Sequence, residues 1–260
     1  MAARARTVPA RALAVTGAVA VLVAGLSACS SASEDKDPEH RSFALQGRTL
    51  TVDSDDSALE IVAVAVDGDE AGRIAVTRWW QGSVAFGDEP EVTWRMDGDR
   101  LVLRVNCSGV VADCAAKHRI EVPRGIAVEV ESDDGSVRAR GLRSALAVRT
   151  KDGSVRVTDS TGPLELRSDD GSVRAEVSSR TVRAHTEDGS VRLRLGAVPD
   201  LVEARSEDGS VDVSVPRATY RVTAETEDGS VDVSVPRDDA SSRVVDARSG
   251  DGGVRVRTVN

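Results

Sequence analysis

Hydrophobic and polar residues alternate along residues 129–260 in a repeating pattern. The pattern is centred on the tetrapeptide Asp-Gly-Ser-Val, which occurs six times, and a seventh copy has Gly253 in place of the serine. On both sides of each Asp-Gly, every second residue is apolar, and the residues between are mostly charged or hydroxyl-bearing. Such alternation is typical of a strand with one buried face. Each repeat is therefore predicted to be a strand, a turn and a second strand.

The Asp-Gly pair is predicted to form the turn of each repeat. Successive glycines are separated by 18, 18, 18, 20, 20 and 23 residues. Glycine adopts positive φ without steric cost, and aspartate accepts hydrogen bonds from turn amides, so we expect these roles here. The predicted turn residues are Asp134, Gly135, Asp152, Gly153, Asp170, Gly171, Asp188, Gly189, Asp208, Gly209, Asp228, Gly229, Asp251 and Gly252.

Two all-β architectures fit the pattern: a parallel β-solenoid and an antiparallel meander of hairpins. In a solenoid each repeat is one coil, and equivalent residues stack about 4.8 Å apart. In a meander each Asp-Gly closes a hairpin. The hairpin places Arg167 opposite Arg174 and the solenoid stacks Arg156 on Arg174, so like charges meet in both. The near-constant period and the identical turns favour the solenoid, with the hairpin meander as the alternative.

Residues 42–128 are predicted to be a degenerate β region that caps the solenoid. Asp97 and Gly98 lie between two alternating runs and predict a hairpin turn. The segment 52–57 resembles 130–136 with its glycine missing, so we interpret the region as decayed coils continuous with the repeats. The alternating runs are 48–52, 60–66, 73–77, 91–94 and 100–105.

The first 28 residues have the pattern of a bacterial export signal. Three arginines precede an uncharged apolar run of about 15 residues, which is shorter than the roughly 20 that a membrane span needs. The run ends in Leu-Ser-Ala-Cys, which resembles the lipobox of bacterial lipoproteins. That resemblance implies cleavage before Cys29 and attachment of fatty acyl chains, such as palmitate, to it. Ordinary secretion with a free Cys29 is the alternative.

These patterns predict the organisation and location of the chain. Residues 1–28 are the signal peptide, 29–41 a polar tether, 42–128 the degenerate β region with a cysteine pair, and 129–260 the solenoid. The protein is expected outside the cytoplasm, anchored to the cell membrane by the lipid on Cys29.

Composition argues against several classes of function. The net charge is −9, and removal of the three signal-peptide arginines makes it −12, which argues against a nucleic-acid partner. Six aromatic residues in 260 leave the core to valine, leucine, isoleucine and alanine. The chain has only three histidines and three cysteines, few of the side chains that usually ligate a metal. The common catalytic motifs are also absent from the sequence. We expect no enzyme activity, cofactor or metal.

Cys107 and Cys114 enclose six residues in an exported protein. A disulfide that pins this loop is the expected role. The alternative, a redox or metal pair, needs further ligands, and only His118 is close in sequence.

Three surface features are candidates for binding. The turn aspartates would line one edge of a solenoid, where they cap turns or, alternatively, bind cations. Turn capping is favoured, because calcium needs six to eight oxygen ligands and the calcium-roll motif is absent. Stacked arginines form a solvated face or, alternatively, contact anionic wall polymers or lipid headgroups. Trp79 and Trp80 are adjacent, so on a strand one is expected inside and the other on the surface.

Taken together, the chain resembles the bacterial beta-strand-repeat family of candidate adhesins, particularly its actinobacterial lipoproteins. The resemblance covers residues 45–260 and includes segments 101–107, 113–114 and 120–123 besides the repeats. It implies a β-solenoid-like fold and a cell-surface setting, but neither a reaction nor a ligand.

We therefore predict a non-enzymatic, lipid-anchored surface protein that presents a rigid face for adhesion, binding or envelope structure. The first alternative is an envelope sensor or regulator that binds a peptide, a wall fragment or a protein partner. A carbohydrate-active enzyme is the third hypothesis, and it would need a non-repeated acidic cluster in a groove.

Overall fold

The computed structural model describes residues 36–66, 68, 72–110 and 112–259, so the predicted export signal and Cys29 lie outside the described residues. It contains twenty-one β-strands. The first seven are β1 (Glu39–Ala44), β2 (Thr49–Ser54), β3 (Ser57–Val64), β4 (Arg73–Val84), β5 (Glu91–Asp97), β6 (Arg100–Asn106) and β7 (Ala112–Pro123). The next seven are β8 (Ala127–Ser132), β9 (Val137–Arg140), β10 (Leu146–Thr150), β11 (Val155–Thr158), β12 (Leu164–Ser168), β13 (Val173–Val177) and β14 (Thr181–Thr186). The last seven are β15 (Val191–Leu195), β16 (Leu201–Ser206), β17 (Val211–Val215), β18 (Arg221–Thr226), β19 (Val231–Ser234), β20 (Val244–Ser249) and β21 (Val254–Thr258).

The strands form two sheets. Sheet 1 has eleven strands in the order β1-β4-β7-β3-β9-β11-β13-β15-β17-β21-β19. Sheet 2 has ten strands in the order β18-β20-β16-β14-β12-β10-β8-β2-β6-β5. Each Asp-Gly turn joins a strand of sheet 2 to a strand of sheet 1, and strands from successive repeats pair in parallel. The predicted parallel β-solenoid is therefore confirmed, and the hairpin meander is excluded.

The core lies between the two sheets and is built from stacked aliphatic side chains. In sheet 1, Val155 pairs with Val173 and Val173 with Val191, and all three are at most 1% exposed. Sheet 2 stacks Leu146 and Leu164 in the same way. A fully buried side chain of this kind contributes about 1.5–3 kcal/mol. Because one coil alone has no partner for its apolar face, this stabilisation depends on stacking.

The repeat glycines are needed for close contact between coils. Of the seven, only Gly135 has a positive φ, at 101°. A Cβ on Gly189 would lie 2.6 Å from the carbonyl carbon of Gly171 and 2.8 Å from the amide nitrogen of Ser172. The expectation that positive φ explains all seven glycines is therefore wrong. Successive turns instead pack backbone against backbone, which leaves no room for a side chain.

The coils depart from chain order at the C-terminal end of the solenoid. Strand β20 pairs with both β16 and β18, and β21 pairs with both β17 and β19. The last coil in sequence therefore lies between the fifth and sixth repeats. Residues 235–243 carry the chain back by one layer, which accounts for the 23-residue spacing of the last two glycines.

The degenerate N-terminal region continues both sheets, as the sequence indicates. Strands β2 and β3 pair in parallel with β8 and β9, and the register places Ser54 beside Ser132. Strands β6 and β7 extend this end, and the antiparallel strands β1, β4 and β5 cover it. The hairpin at Asp97 and Gly98 joins β5 to β6. Strand β1 begins at Glu39, inside the predicted tether, so regular structure starts earlier than expected.

We expect Gly189→Ala to lower the free energy of unfolding by about 2–3 kcal/mol, because the added methyl group overpacks the contact with Gly171. Urea unfolding followed by circular dichroism measures the change. Gly253→Ala is the matched control, since the nearest atom to its Cβ would be 3.5 Å away. Equal stability of the two variants would contradict the close-packing role.

Candidate functional site

Hydroxyl groups connect successive coils at the turn edge. The Oγ of Ser168 accepts a hydrogen bond from the amide of Gly171 (2.9 Å) and donates one to the carbonyl oxygen of Gly153 (2.9 Å). Thr186 makes the same two contacts, with the amide of Gly189 (3.3 Å) and the carbonyl oxygen of Gly171 (2.8 Å). Both hydroxyl residues are fully buried. Each such group therefore closes its own turn and binds that turn to the coil before it.

The aspartates of the repeats form an exposed column and do not cap the turns. In the described part of the chain, the glycine amides of five of these turns donate to serine or threonine hydroxyls, namely those of Gly153, Gly171, Gly189, Gly209 and Gly252. The prediction that aspartate accepts these bonds is therefore wrong. A hydroxyl both accepts and donates, so it connects two coils, whereas a carboxylate only accepts.

Neighbouring carboxyl groups in this aspartate column interact with one another. Hydrogen bonding of the Asp134 carboxyl with Asp152 and Asp56, together with their negative charge, raises its pKa to about 6. Asp152 likewise raises the pKa of Asp170, through hydrogen bonding and charge. Burial and the charges of Asp188 and Asp251 raise the pKa of Asp208. Among the residues that the structure describes, no group of three or more His, Cys, Asp or Glu is arranged to hold a metal ion.

The outer face of sheet 2 carries charges of both signs that pair with each other. Arg183 binds Glu203 at 2.9 Å, and Arg149 binds Glu165 at 3.1 Å. Farther along, Arg248 binds Asp246 at 2.7 Å. Exposed pairs of this kind contribute little to stability, about 0–1 kcal/mol each. This face matches the expected solvated surface of interleaved charge.

The outer face of sheet 1 differs in its ion pairing, because four arginines occupy adjacent rungs and only one of them, Arg156, has an acidic partner within 4 Å among the described residues. Arg138 pairs with Arg156, Arg156 with Arg174, and Arg174 with Arg192 in the parallel register. We call these four residues the arginine ladder. Their side chains line a groove of about 280 Å³ together with Ser154, Ser172 and Ser190. The sequence predicted this stacking but not the groove.

An aromatic and cationic cluster, which the sequence did not indicate, lies in the N-terminal cap. Trp94 is 4% exposed, and the guanidinium groups of Arg41 and Arg78 lie 4.8 and 4.5 Å from its ring centre. Arg78 is itself buried, donates to the carbonyl oxygen of Val92 (2.9 Å) and binds Glu39 (2.6 Å). These contacts attach β1 and β5 to β4 across the end of the solenoid.

His118 completes this buried cluster. Its ring is fully buried beside Trp94, with 6.1 Å between ring centres, and neither ring nitrogen has a hydrogen-bond partner among the described residues. Burial, followed by the positive charge of Arg78, lowers the pKa of His118 to about 3. The histidine is therefore neutral at physiological pH and acts as part of the core.

Cys107 and Cys114 form a disulfide, as expected, with 6.3 Å between their Cα atoms. The enclosed loop carries Val110, which is 83% exposed and donates its amide to the carbonyl oxygen of Phe86 (2.8 Å). Phe86 is 74% exposed. The disulfide thus closes a loop that presents Val110, and this loop lies beside Phe86 of the β4–β5 connection.

The two adjacent tryptophans lie on β4. Both Trp79 and Trp80 are half-buried, so the half-covered ring that we expect is found but the ring in the core is not. Trp79 has the ammonium group of Lys117 5.1 Å from its ring centre.

We expect Ser168→Ala to lower the free energy of unfolding by about 1–3 kcal/mol, because it leaves a buried amide and a buried carbonyl without their partner. Ser168→Thr should retain nearly full stability, since Thr150 and Thr186 occupy the equivalent position. Ser154→Ala, at an exposed site, is the control. Urea unfolding compares the three variants, and a stable Ser168→Ala protein would contradict the role of the hydroxyl.

Asp152→Asn should raise the melting temperature at about pH 7.5 by roughly 2 °C, because it removes the charge next to Asp134 and Asp170. Both of those pKa values are raised, so the folded protein binds protons more tightly than the unfolded chain. Their contribution to stability is therefore present at low pH and is lost as pH rises from about 4 to 6.

The stabilisation by Asp152→Asn should accordingly shrink at about pH 5, and it should shrink in high salt. Asp88→Asn removes one negative charge outside the aspartate column and serves as the control. An equal effect of both substitutions on the melting temperature would show that net charge, and not the column, is responsible.

Comparisons with known proteins agree with this fold. Residues 119–219 match the family described as Toastrack DUF4097. A structure from Bacteroides fragilis, described as a candidate adhesin, aligns with 86% of this chain and 98% of its own length, at 13% identity and a TM-score of 0.51. None of the curated proteins matches the chain.

Two further structures align over most of their length. A candidate cell adhesion protein from Clostridium sporogenes covers 86% of this chain and 100% of its own, at 11% identity and a TM-score of 0.32. A candidate adhesin from Parabacteroides merdae aligns with 89% of this chain and 99% of its own length, at 10% identity and a TM-score of 0.33. Within the described ranges, no helix has the length and hydrophobicity to cross a bilayer. The chain is thus similar to Toastrack DUF4097 over residues 119–219 and shares its fold with the Bacteroides structure.

Proposed function

We propose that this protein is a lipid-anchored, non-enzymatic binding protein of the cell surface. The observation that carries the proposal is the long, regular outer face of each sheet, on which the outward positions of successive repeats lie in register. Eleven strands about 4.8 Å apart make sheet 1 about 50 Å long. Such a surface suits contact with an extended partner, because it offers the same groups repeatedly along one direction.

The stiffness of the solenoid supports this role. Buried hydroxyls such as Ser168 and Thr186 connect each coil to the next, and the glycine turns pack without gaps. The backbone of such a face loses little conformational entropy on binding, because it is already ordered. The candidate adhesins with similar structures and the disulfide, which is typical of exported proteins, agree with a location outside the cytoplasm.

The membrane anchor rests on the sequence Leu-Ser-Ala-Cys at residues 26–29. Acyl chains on Cys29 would hold the protein at the membrane, since two or more chains bind a bilayer stably. The segment between Cys29 and β1 contains nine residues, enough to separate the solenoid from the lipid by up to about 30 Å.

A second candidate function is an envelope sensor that binds a discrete protein. The exposed pair Phe86 and Val110 favours it, because large exposed apolar side chains on two neighbouring loops are typical of protein contacts. The same pair contributes nothing to a regular repeat face, so the two candidate functions use different parts of the molecule.

Cys29→Ser should move the protein from the membrane fraction to the soluble fraction of cells that process bacterial lipoproteins. Loss of the acylated thiol is the reason, and immunoblots of salt-washed membranes measure the distribution. Ser31→Ala, which leaves Cys29 in place, is the control. A Cys29→Ser protein that stays with the washed membranes would contradict the anchor.

Binding is tested separately with the whole protein in detergent and isolated envelope fractions. We expect retention on a wall-polymer fraction without release of soluble sugar. Cleavage of that polymer would overturn the non-enzymatic role. Crosslinking to one envelope protein through Phe86 and Val110 would instead support the sensor.

A further inference from the structure

The arginine ladder concentrates positive charge on a protein whose net charge is −9. Arg138, Arg156, Arg174 and Arg192 occupy four successive rungs of sheet 1, all with exposed side chains. Four rungs about 4.8 Å apart extend over about 14 Å. Like charges at this spacing repel each other, so the ladder is an electrostatically unfavourable arrangement unless an anion lies on it.

Three of the four guanidinium groups have no acidic partner in the described part of the chain. Arg156 approaches Glu176 at 3.7 Å, whereas Arg138, Arg174 and Arg192 form no ion pair within 4 Å. Arg138 instead donates to the Oγ of Ser136 at 3.2 Å. On sheet 2, by contrast, Arg149 and Arg183 each bind a glutamate.

Acidic residues border the ladder but already have partners. Glu60 lies next to Arg138 in the register and binds Lys117 at 3.3 Å. Asp212 follows Arg192 and binds Arg257 at 3.1 Å. The ladder is therefore a bounded segment of sheet 1 with unneutralised cations, and not a general property of the repeat.

Serine hydroxyls accompany the arginines along the groove. Ser154, Ser172 and Ser190 line it beside the guanidinium groups. A guanidinium group binds a carboxylate or phosphate through two parallel hydrogen bonds, and a serine hydroxyl both donates and accepts. A ligand that fits has an acidic group at regular intervals and hydroxyls between them.

We propose that the arginine ladder binds a linear anionic polysaccharide. Acidic groups of the polymer pair with successive guanidinium groups, and its hydroxyls bond to the serine column. This inference rests on the proposed function, in which a repeat face binds an extended polymer, and it assigns that polymer's chemistry and the face that binds it.

The test uses the whole protein in detergent and oligomers of polygalacturonate, a linear polymer with one carboxylate per sugar. We expect binding by isothermal titration calorimetry in low salt. The affinity of R174Q/R192Q should be about tenfold lower, because two carboxylates of the polymer lose their charged hydrogen-bond partners. R149Q/R183Q removes the same charge from sheet 2 and should bind within about twofold of the unsubstituted protein.

Thermal unfolding separates loss of binding from loss of folding. Without polymer, R174Q/R192Q should melt no lower than the unsubstituted protein, since the substitutions relieve repulsion. With polymer, only proteins that retain the ladder should gain melting temperature, and the gain should fall as salt rises.

Equal weakening by R174Q/R192Q and R149Q/R183Q would overturn the proposal, as would equal binding of neutral dextran or of single-stranded DNA of similar charge. If the unsubstituted protein is retained by a wall-polymer fraction and R174Q/R192Q is retained equally, the ladder assignment fails while the proposed function stands. Absence of retention on every envelope fraction would contradict the proposed function itself.

Discussion

Backbone contact between successive turns is the constraint on which the rest of this structure depends. A side chain at Gly171 or Gly189 would collide with the coil before it, and the hydroxyls of Ser168 and Thr186 bind that coil through its carbonyl oxygens. Because these contacts allow no slippage, each strand must stack on its neighbour residue for residue. The aliphatic columns between the sheets and the charged columns outside them both follow from this register.

The repeat pattern was enough to predict the architecture of residues 129–260, because apolar alternation on both sides of a recurring turn leaves few ways to bury one face. It did not reveal why the turn has its composition. The serine or threonine three residues before each glycine is as regular as the glycine itself. Its function depends on the neighbouring coil, however, and the pattern within one repeat contains no information about that contact. The roles expected for glycine and aspartate were wrong for the same reason.

The two ends of the solenoid were less predictable. At the C-terminal end, coil β18–β19 is the outermost layer of the stack and coil β20–β21 is the layer before it, although both have repeats of similar sequence. Only the long spacing before Gly252 indicated an extended connection. At the N-terminal end, Trp94, Arg78 and His118 come from three different strands. A cluster assembled from distant segments has no periodic signature, so the sequence placed Trp94 on a strand and His118 near the cysteine pair but gave Arg78 no role and did not indicate their common environment.

Repetition also explains how the two faces acquire different chemistry on one scaffold. Any residue at an outward position is multiplied along the stack, so a column becomes either an ion-paired surface or a line of like charge. Sheet 2 also carries a row of basic residues, but each arginine in it has an acidic partner within 4 Å; the row is Arg149, Arg167, His185, Arg205 and Arg248. In the arginine ladder only Arg156 has such a partner among the described residues, although the same register would accept a glutamate at Arg174 as readily as it accepts Glu165 on sheet 2. Folding requires no such row of cations, because the core contacts are the same on both sheets. The unpaired arginines of the ladder are therefore the feature that the proposed polymer contact would explain.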